Sequence, residues 1–489
     1  MDIITARGLR FVDAQGRERI FHGLNLKTSH GCGSLALLDE AFFCRARALG
    51  QNCLRLGVHW EMLEPEPGQY NEDALRQIDA VFALAEQYGV YIFLDMHQDL
   101  YGGFGIGNGG GAPLWATVAD GHKRGKTRIV WSEGYYLSRA VHRAFTHFWN
   151  NDPVCGRGLQ EHFAALWQML ARRYADHPAL LGYDLFNEPF PGDGGKVFRK
   201  LIFKAVRAAA FSPAVHRVRF IKAFCNKETR PHAFFDALTP ELFHKVTKAG
   251  WKSLDRFYRE KYTPFVQRVT NAIREVTPKG IIIIEHSYWS NIGIPFSGAV
   301  PVDPVGQSEA TVYSPHSYDL LVDTPAYRYA SNARLAFFFD EARRAQERLQ
   351  IPVLVGEWGG GGEGESFFPH IRFLLDYFDG FLWSNAYFTY TDGLFAQPIM
   401  RLLSRPYPVA VNGELLRIQY DDAAARLQII FTQGQGIDAS IPTELYLPRT
   451  AKTIEAPGFL WEQEELAGGG VRLLLTGGGA GEHTVTVVL

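Results

Sequence analysis

The chain has 489 residues, 46% of them hydrophobic, and a formal net charge of −2. That length and apolar content suffice for a full core and more than one domain. The charge argues against a nucleic-acid binder, which carries a strongly basic face. Cys32, Cys44, Cys53, Cys155 and Cys225 form no C-x-x-C pair, so neither a disulfide framework nor a zinc site is signalled, and several are expected to pack as small apolar residues. No apolar run is long enough for a transmembrane helix, and the segment from Met1 to Arg7 lacks the basic and apolar regions of a signal peptide. Export through a standard signal is therefore not expected, and the localisation expected is cytoplasmic or that of a mature secreted form.

From about residue 20 to about residue 403, apolar strand-like runs alternate with amphipathic helical segments. The runs are Ile20–Leu26, Asn52–His59, Val90–His97, Leu180–Glu188, Gly280–His286, Thr311–His316, Ile351–Glu357 and Phe381–Tyr387, with helices such as Glu72–Tyr88 and Asn332–Leu349 between them. Eight strand-helix units predict an α/β fold, a (β/α)8 TIM barrel, over residues 1–405. An open doubly wound sheet is the runner-up, but the G-x-G-x-x-G fingerprint expected after its first strand is absent.

Two excursions interrupt the repeat, at about 100–158 and 191–250. The first holds the glycine-rich run from Gly102 to Gly111, which lacks the Gly-Lys-Ser/Thr ending of a phosphate loop and reads as a tightly turning loop. In the second, residues 191–230 carry ten Lys/Arg against two acids, a net of +8. A solvated basic helix face and docking on an anionic or lipid surface account for it equally well. From 406 to 489 the segments become short, alternating and β-rich, the pattern of an antiparallel β-sandwich domain.

Two strand ends carry carboxylates, in Asn187-Glu188-Pro189 and Gly356-Glu357-Trp358. The C-terminal edge of a parallel barrel is where its chemistry sits. Two carboxylates sharing one pocket separate in pKa into an acid and an ionised base or nucleophile, the equipment for cutting a glycosidic bond. A capped strand end is the plain alternative for either string alone. Other strand ends supply Arg55, able to fix a carboxylate, His97 with Asp99, and Trp383. His316 and Tyr318 lie two apart on one strand face, where a tyrosine hydroxyl can support a nucleophilic Glu. His142 and His147, five apart on a helix with no evident acidic partner, do not suggest a metal site.

In that order, Arg55, Asn187-Glu188-Pro189, His316-x-Tyr318, Gly356-Glu357 and Trp383 resemble the retaining β-glycosidases of glycoside hydrolase family five. A narrower resemblance to its endoglycoceramidases and glycosylceramidases rests on Asp95-Met96-His97-Gln98-Asp99, Phe148-Trp149-Asn150-Asn151, Arg405-Pro406-Tyr407-Pro408 and the sandwich beyond. The resemblance implies that Glu188 is the acid/base and Glu357 the nucleophile, supported by Arg55 and His316. It implies that Lys27, His97, Asp99, Trp149, Asn187, Tyr318 and Trp383 contact the sugar. It also implies a glycosphingolipid substrate, met at a micelle or membrane surface, with no cofactor, metal, nucleic acid or obligate protein partner. Phe104, Ile106, Trp115, Trp131, Phe198, Phe203, Phe211 and Phe224 are candidates for an apolar groove under ceramide. The rivals are a soluble β-glucan or mannan hydrolase with the same two glutamates, and a catalytically silent carbohydrate- or lipid-binding barrel.

Overall fold

A computed structural model describes residues 1–28, 33–102, 110–123, 131–192, 194–211, 225–226, 240–306, 310–322, 327, 330–360 and 364–489. Eight parallel strands form one sheet: β1 (His22–Lys27), β2 (Cys53–Val58), β3 (Tyr91–Met96), β4 (Leu180–Asp184), β5 (Ile281–Glu285), β6 (Thr311–Ser314), β7 (Leu354–Gly359) and β8 (Ser384–Phe388). The pairing runs from β6 through β5, β4, β3, β2, β1 and β8 to β7. Isolated parallel bridges Tyr313↔Val353 and His316↔Glu357 join the two ends, so the sheet is a TIM barrel.

The barrel interior is built in layers, because side chains two apart on a strand share a face. A lower apolar layer includes Cys53, Phe93, Leu181, Ile283, Val312, Leu354 and Ala386, and it packs against Ile4, Ala6 and Phe11 of the N-terminal segment. Two residues further along their strands, Arg55, Asp95, Glu285 and Ser314 begin a buried polar layer. That change of character toward the C-terminal edge positions the site.

Residues beyond 405 form two antiparallel sheets around a core that includes Val409, Leu427, Phe431, Leu445, Leu473 and Val487. The boundary expected at 405 needs one correction. Ile4–Arg7, Arg10–Asp13 and Glu18–Arg19 belong to the seven-stranded sheet of this C-terminal unit, where Glu18–Arg19 pairs with Tyr407–Val411. The N-terminal residues thus pair with the sandwich while their apolar side chains close the barrel floor.

The first excursion contains short helices and α3 (Arg139–Asn150); the stretches 103–109 and 124–130, and with them most of the glycine run, lie outside the described residues. The second contributes two helices in contact, α5 (Gly194–Phe211) and α6 (Pro240–Phe257). α8 (Asn332–Leu349) and α9 (Phe368–Phe381) cover the barrel after β6 and β7.

Candidate active site

Arg55 is the hub of the polar layer and is 1% exposed. Its Nε donates to Asp184 at 2.8 Å, one Nη to Glu357 at 2.6 Å and Asn25 at 3.1 Å, and the other to Glu285 at 2.6 Å and Asn187 at 3.0 Å. Asp95 stands 3.0 Å away. One guanidinium faces four buried carboxylates, and two of them shift toward the protonated form. Burial, reinforced by neighbouring carboxylates, pushes Asp184 up to about 6 and Glu285 well above its ordinary range. Asp95 moves the other way: Arg55 and His97 outweigh its burial.

Glu357 follows Gly356 for a steric reason. A Cβ at Gly356 would lie 2.2 Å from Ser314 Oγ and 2.6 Å from His316 Nε2, so only glycine lets β7 pass this close to β6. Besides the Arg55 bond, Glu357 accepts from the Tyr318 hydroxyl at 3.0 Å. Donors on both oxygens fix the position of the carboxylate.

Glu188 has no such cation. It sits just past β4 with φ +42°, a left-handed conformation uncommon for a non-glycine residue. Surrounding bonds fix this turn: Glu188 N–H donates to Glu285 at 2.7 Å, Gln98 donates to the carbonyls of Asn187 at 2.9 Å and Glu188 at 3.3 Å, and Tyr288 N–H donates to the Pro189 carbonyl at 3.2 Å. Burial, then the charge of Asp99, pushes the Glu188 carboxyl up to about 7, against a 2.6 Å bond donated by Asn291. His316 Nδ1 lies 3.3 Å from Glu188 and 3.8 Å from Glu357. Burial lowers that imidazole to about 3, so it stays neutral between the two acids. One oxygen of each glutamate and a ring nitrogen of His316 all lie within 4.8 Å of one another. Asp95, Asp184 and Glu285 form the other close donor group among the described residues, and the Arg55 guanidinium already brings positive charge to it.

Lys27, at the end of β1, pairs with Asp99, and His97 lies between Asp95 at 2.7 Å and Asp99 at 3.7 Å. Although burial opposes it, the two aspartates raise His97 to about 9, while Lys27 and His97 hold Asp99 below its usual range in spite of burial. Lys27, His97 and Asp99 therefore form a charged chain beside Glu188. Asn187 spends its oxygen on Arg55 and one N–H on the Gln98 carbonyl at 3.0 Å, leaving one amide hydrogen.

Two expected sugar contacts lie elsewhere. Trp383 precedes β8; past a register shift Trp358 pairs with Tyr387, which sets Glu357 level with Ala386, so Trp383 stands roughly 10 Å below Glu357 at about 3.3 Å per residue. Its indole donates to Gln346 at 2.9 Å and packs against Phe339, Phe378 and Phe381. The aromatic at the C-terminal end of β8 is Phe388, with its ring 6.3 Å from that of Tyr318. Trp149 is enclosed by Phe148, Phe186, Phe257 and Phe265, and its single donor is spent on the Phe190 carbonyl at 2.7 Å, so it braces the 188–190 turn from behind.

Of the apolar groove candidates, Trp115 packs on Trp60 and Trp131 on Tyr135, while Phe203 and Phe211 project from α5. Phe104, Ile106, Phe224 and the Phe198 side chain lie outside the described residues. Contrary to the expectation from helix spacing, His147 has acidic neighbours, Asp120 at 2.9 Å and Asp152 at 2.5 Å, brought in by loops. Asn25, Gln98, Asp184, Glu285 and Asn291 were missed as site residues. The signal for Glu285 was present in Ile281-Ile282-Ile283-Ile284-Glu285, an acid ending an apolar strand.

The cellulase model of glycosyl hydrolase family 5 matches residues 12–220 and 230–383, and the family 5 C-terminal domain matches 405–487. The chain belongs to glycosyl hydrolase family 5. An endoglycoceramidase of Cyanea nozakii is 29% identical over 260 residues, 48% of this chain and 50% of the relative. The chain thus spans about half the length of that relative and of the Hydra vulgaris endoglycoceramidase. Endoglycoceramidase I of Rhodococcus hoagii is 23% identical over 91% of this chain and 79% of its own length. The solved structure of endo-glycoceramidase II from Rhodococcus sp. superposes with TM-score 0.75 at 25% identity, covering 98% of both chains.

Proposed function

We propose that this chain is a retaining endo-β-glycosidase that hydrolyses the bond between glycan and ceramide in glycosphingolipids. One observation carries the mechanism: two glutamates whose oxygens come within 4.8 Å sit in opposite environments, one braced by Arg55 and Tyr318, the other raised to about 7. That separation suits direct attack, for which carboxyls stand about 5 Å apart, and is too short for an inverting pair, which needs ~6.5 Å or more to admit water.

Ionised Glu357 attacks the anomeric carbon as the glycosidic bond breaks, and protonated Glu188 gives its proton to the departing ceramide oxygen. The resulting glycosyl ester removes the negative charge of Glu357, so the Glu188 pKa falls and its carboxylate can take a proton from the attacking water. The new bond from water replaces the ester bond, which returns Glu357 as a carboxylate. The Lys27, Asp99 and His97 chain and the remaining Asn187 amide hydrogen present donors and acceptors to the sugar hydroxyls. The ceramide assignment draws on the endoglycoceramidases of Cyanea nozakii, Hydra vulgaris and Rhodococcus hoagii to which the chain is similar.

The test is mass-spectrometric product analysis on glucosyl- and galactosyl-linked glycosphingolipids in mild detergent. Wild type is expected to release intact oligosaccharide and ceramide, and Glu357→Gln to lose turnover by ~10³-fold or more. Activity confined to soluble β-glucan or mannan would overturn the ceramide assignment while leaving the two glutamates in their roles.

A further inference from the structure

Helix α5 begins six residues after Glu188, on the rim of the barrel that carries the catalytic turn. Val197, Leu201 and Ala205, four apart, form its buried face, and a Cβ at Gly250 of α6 would touch Val197 and Leu201. That anchoring leaves the remainder of the helix circumference to solvent. Around the rest of the helix Lys196, Arg199, Lys200, Lys204 and Arg207 are all exposed, and the helix contains no acidic residue. Along one face, Arg199, Phe203, Arg207 and Phe211 form a stripe of four-residue spacing, with Phe203 69% and Phe211 71% exposed.

A solvated basic face accounts for the cations but not for two bare phenylalanine rings among them. Removing such a ring from water is worth roughly 1.5–3 kcal/mol, and an interfacial helix combines apolar rings with basic side chains in this way. Among the described residues no helix is long and apolar enough to cross a membrane. We propose that this face of α5 seats the molecule on an anionic phospholipid bilayer, a docking that rests on the glycolipid reading for its purpose. Charge complementarity selects the occupant: the exposed cations Lys200, Lys204 and Arg207 meet the negative leaflet, and Phe203 and Phe211 enter the headgroup boundary. The rim that carries Glu188 is then held next to membrane-borne substrate.

The experiment is co-sedimentation of the full chain with vesicles of phosphatidylcholine alone or mixed with phosphatidylserine, containing no glycolipid. Wild type is expected to partition strongly only onto the mixed vesicles, less so as salt rises. Lys200→Gln, Lys204→Gln and Arg207→Gln should each weaken partitioning about fivefold, and together roughly 10²-fold. Phe203→Ser with Phe211→Ser should also reduce it, with melting temperature unchanged in every variant. Equal binding to both vesicle types, or unchanged binding by both sets of variants, overturns the proposal. Because the vesicles hold no substrate, selective binding with no glycolipid cleavage in the product assay would sustain docking while removing the ceramide assignment.

Discussion

In the proposed double displacement Glu188 acts first as an acid, so its protonated form is the active one. Its pKa is raised to about 7 by burial and by Asp99, so the proton is held below that pH and lost as pH rises through it. The basic limb of kcat/KM should therefore fall near pH 7. Asn291 donates to the Glu188 carboxylate and favours its ionised form; Asn291→Ala should move the basic limb to higher pH, and a limb that stays in place would separate it from Glu188. Glu285 serves the site differently, because its two oxygens hold Arg55 and the Glu188 N–H. Cutting it back in Glu285→Ala removes one anchor from the guanidinium that grips Glu357 and one from the turn that aims Glu188. Steady-state kinetics should show kcat lower by on the order of ten- to a hundredfold, in line with sub-ångström misplacement of reacting groups.

Among the elements, strands that end on a charge were legible from sequence, because an apolar run closing on Glu188 or Glu357 shows both where the barrel edge falls and what stands there. β8 was not. Phe381 ends α9, Leu382 closes it at φ +56°, and Trp383 N–H still bonds back to Phe378 at 2.9 Å, yet all three continue the apolar run of the strand. Periodicity cannot divide such a run between a helix end and a strand start, and it sets Trp383 nearer the edge than the register of β8 allows. The polar network around Arg55 was equally hidden, since Asp184, Glu285 and Asn291 converge only once β4 and β5 are paired. The reassignment is open to kinetics and calorimetry together: Trp383→Phe should leave kcat and KM unchanged while costing about 1 kcal/mol of stability through the lost bond to Gln346. Trp149→Phe removes the brace on the Phe190 carbonyl and should lower kcat as well as stability.

At the scale of the whole molecule, the N-terminal segment is a clasp between the two units, and alternating hydrophobicity alone could not show which sheet its short strands would join. Asp13 anchors it. Its side chain is fully enclosed, accepts from Arg17 at 2.9 Å and Arg19 at 3.3 Å, and Arg19 in turn donates to the Val409 carbonyl of the sandwich at 3.0 Å. Below this pair, Ile4, Ala6 and Phe11 pack into the barrel floor, at the opposite end from Glu188 and Glu357. Asp13→Ala leaves two nearly buried guanidinium groups without their shared carboxylate, a change that costs about 3 kcal/mol or more when a buried pair loses one member. Calorimetry should record a clear fall in melting temperature. At temperatures where the variant remains folded, kcat should match wild type, because the barrel floor is separated from the catalytic layer by the apolar layer of Cys53, Phe93 and Ile283. A loss of kcat without a loss of stability would instead mean that the clasp sets the geometry of Arg55 through that layer.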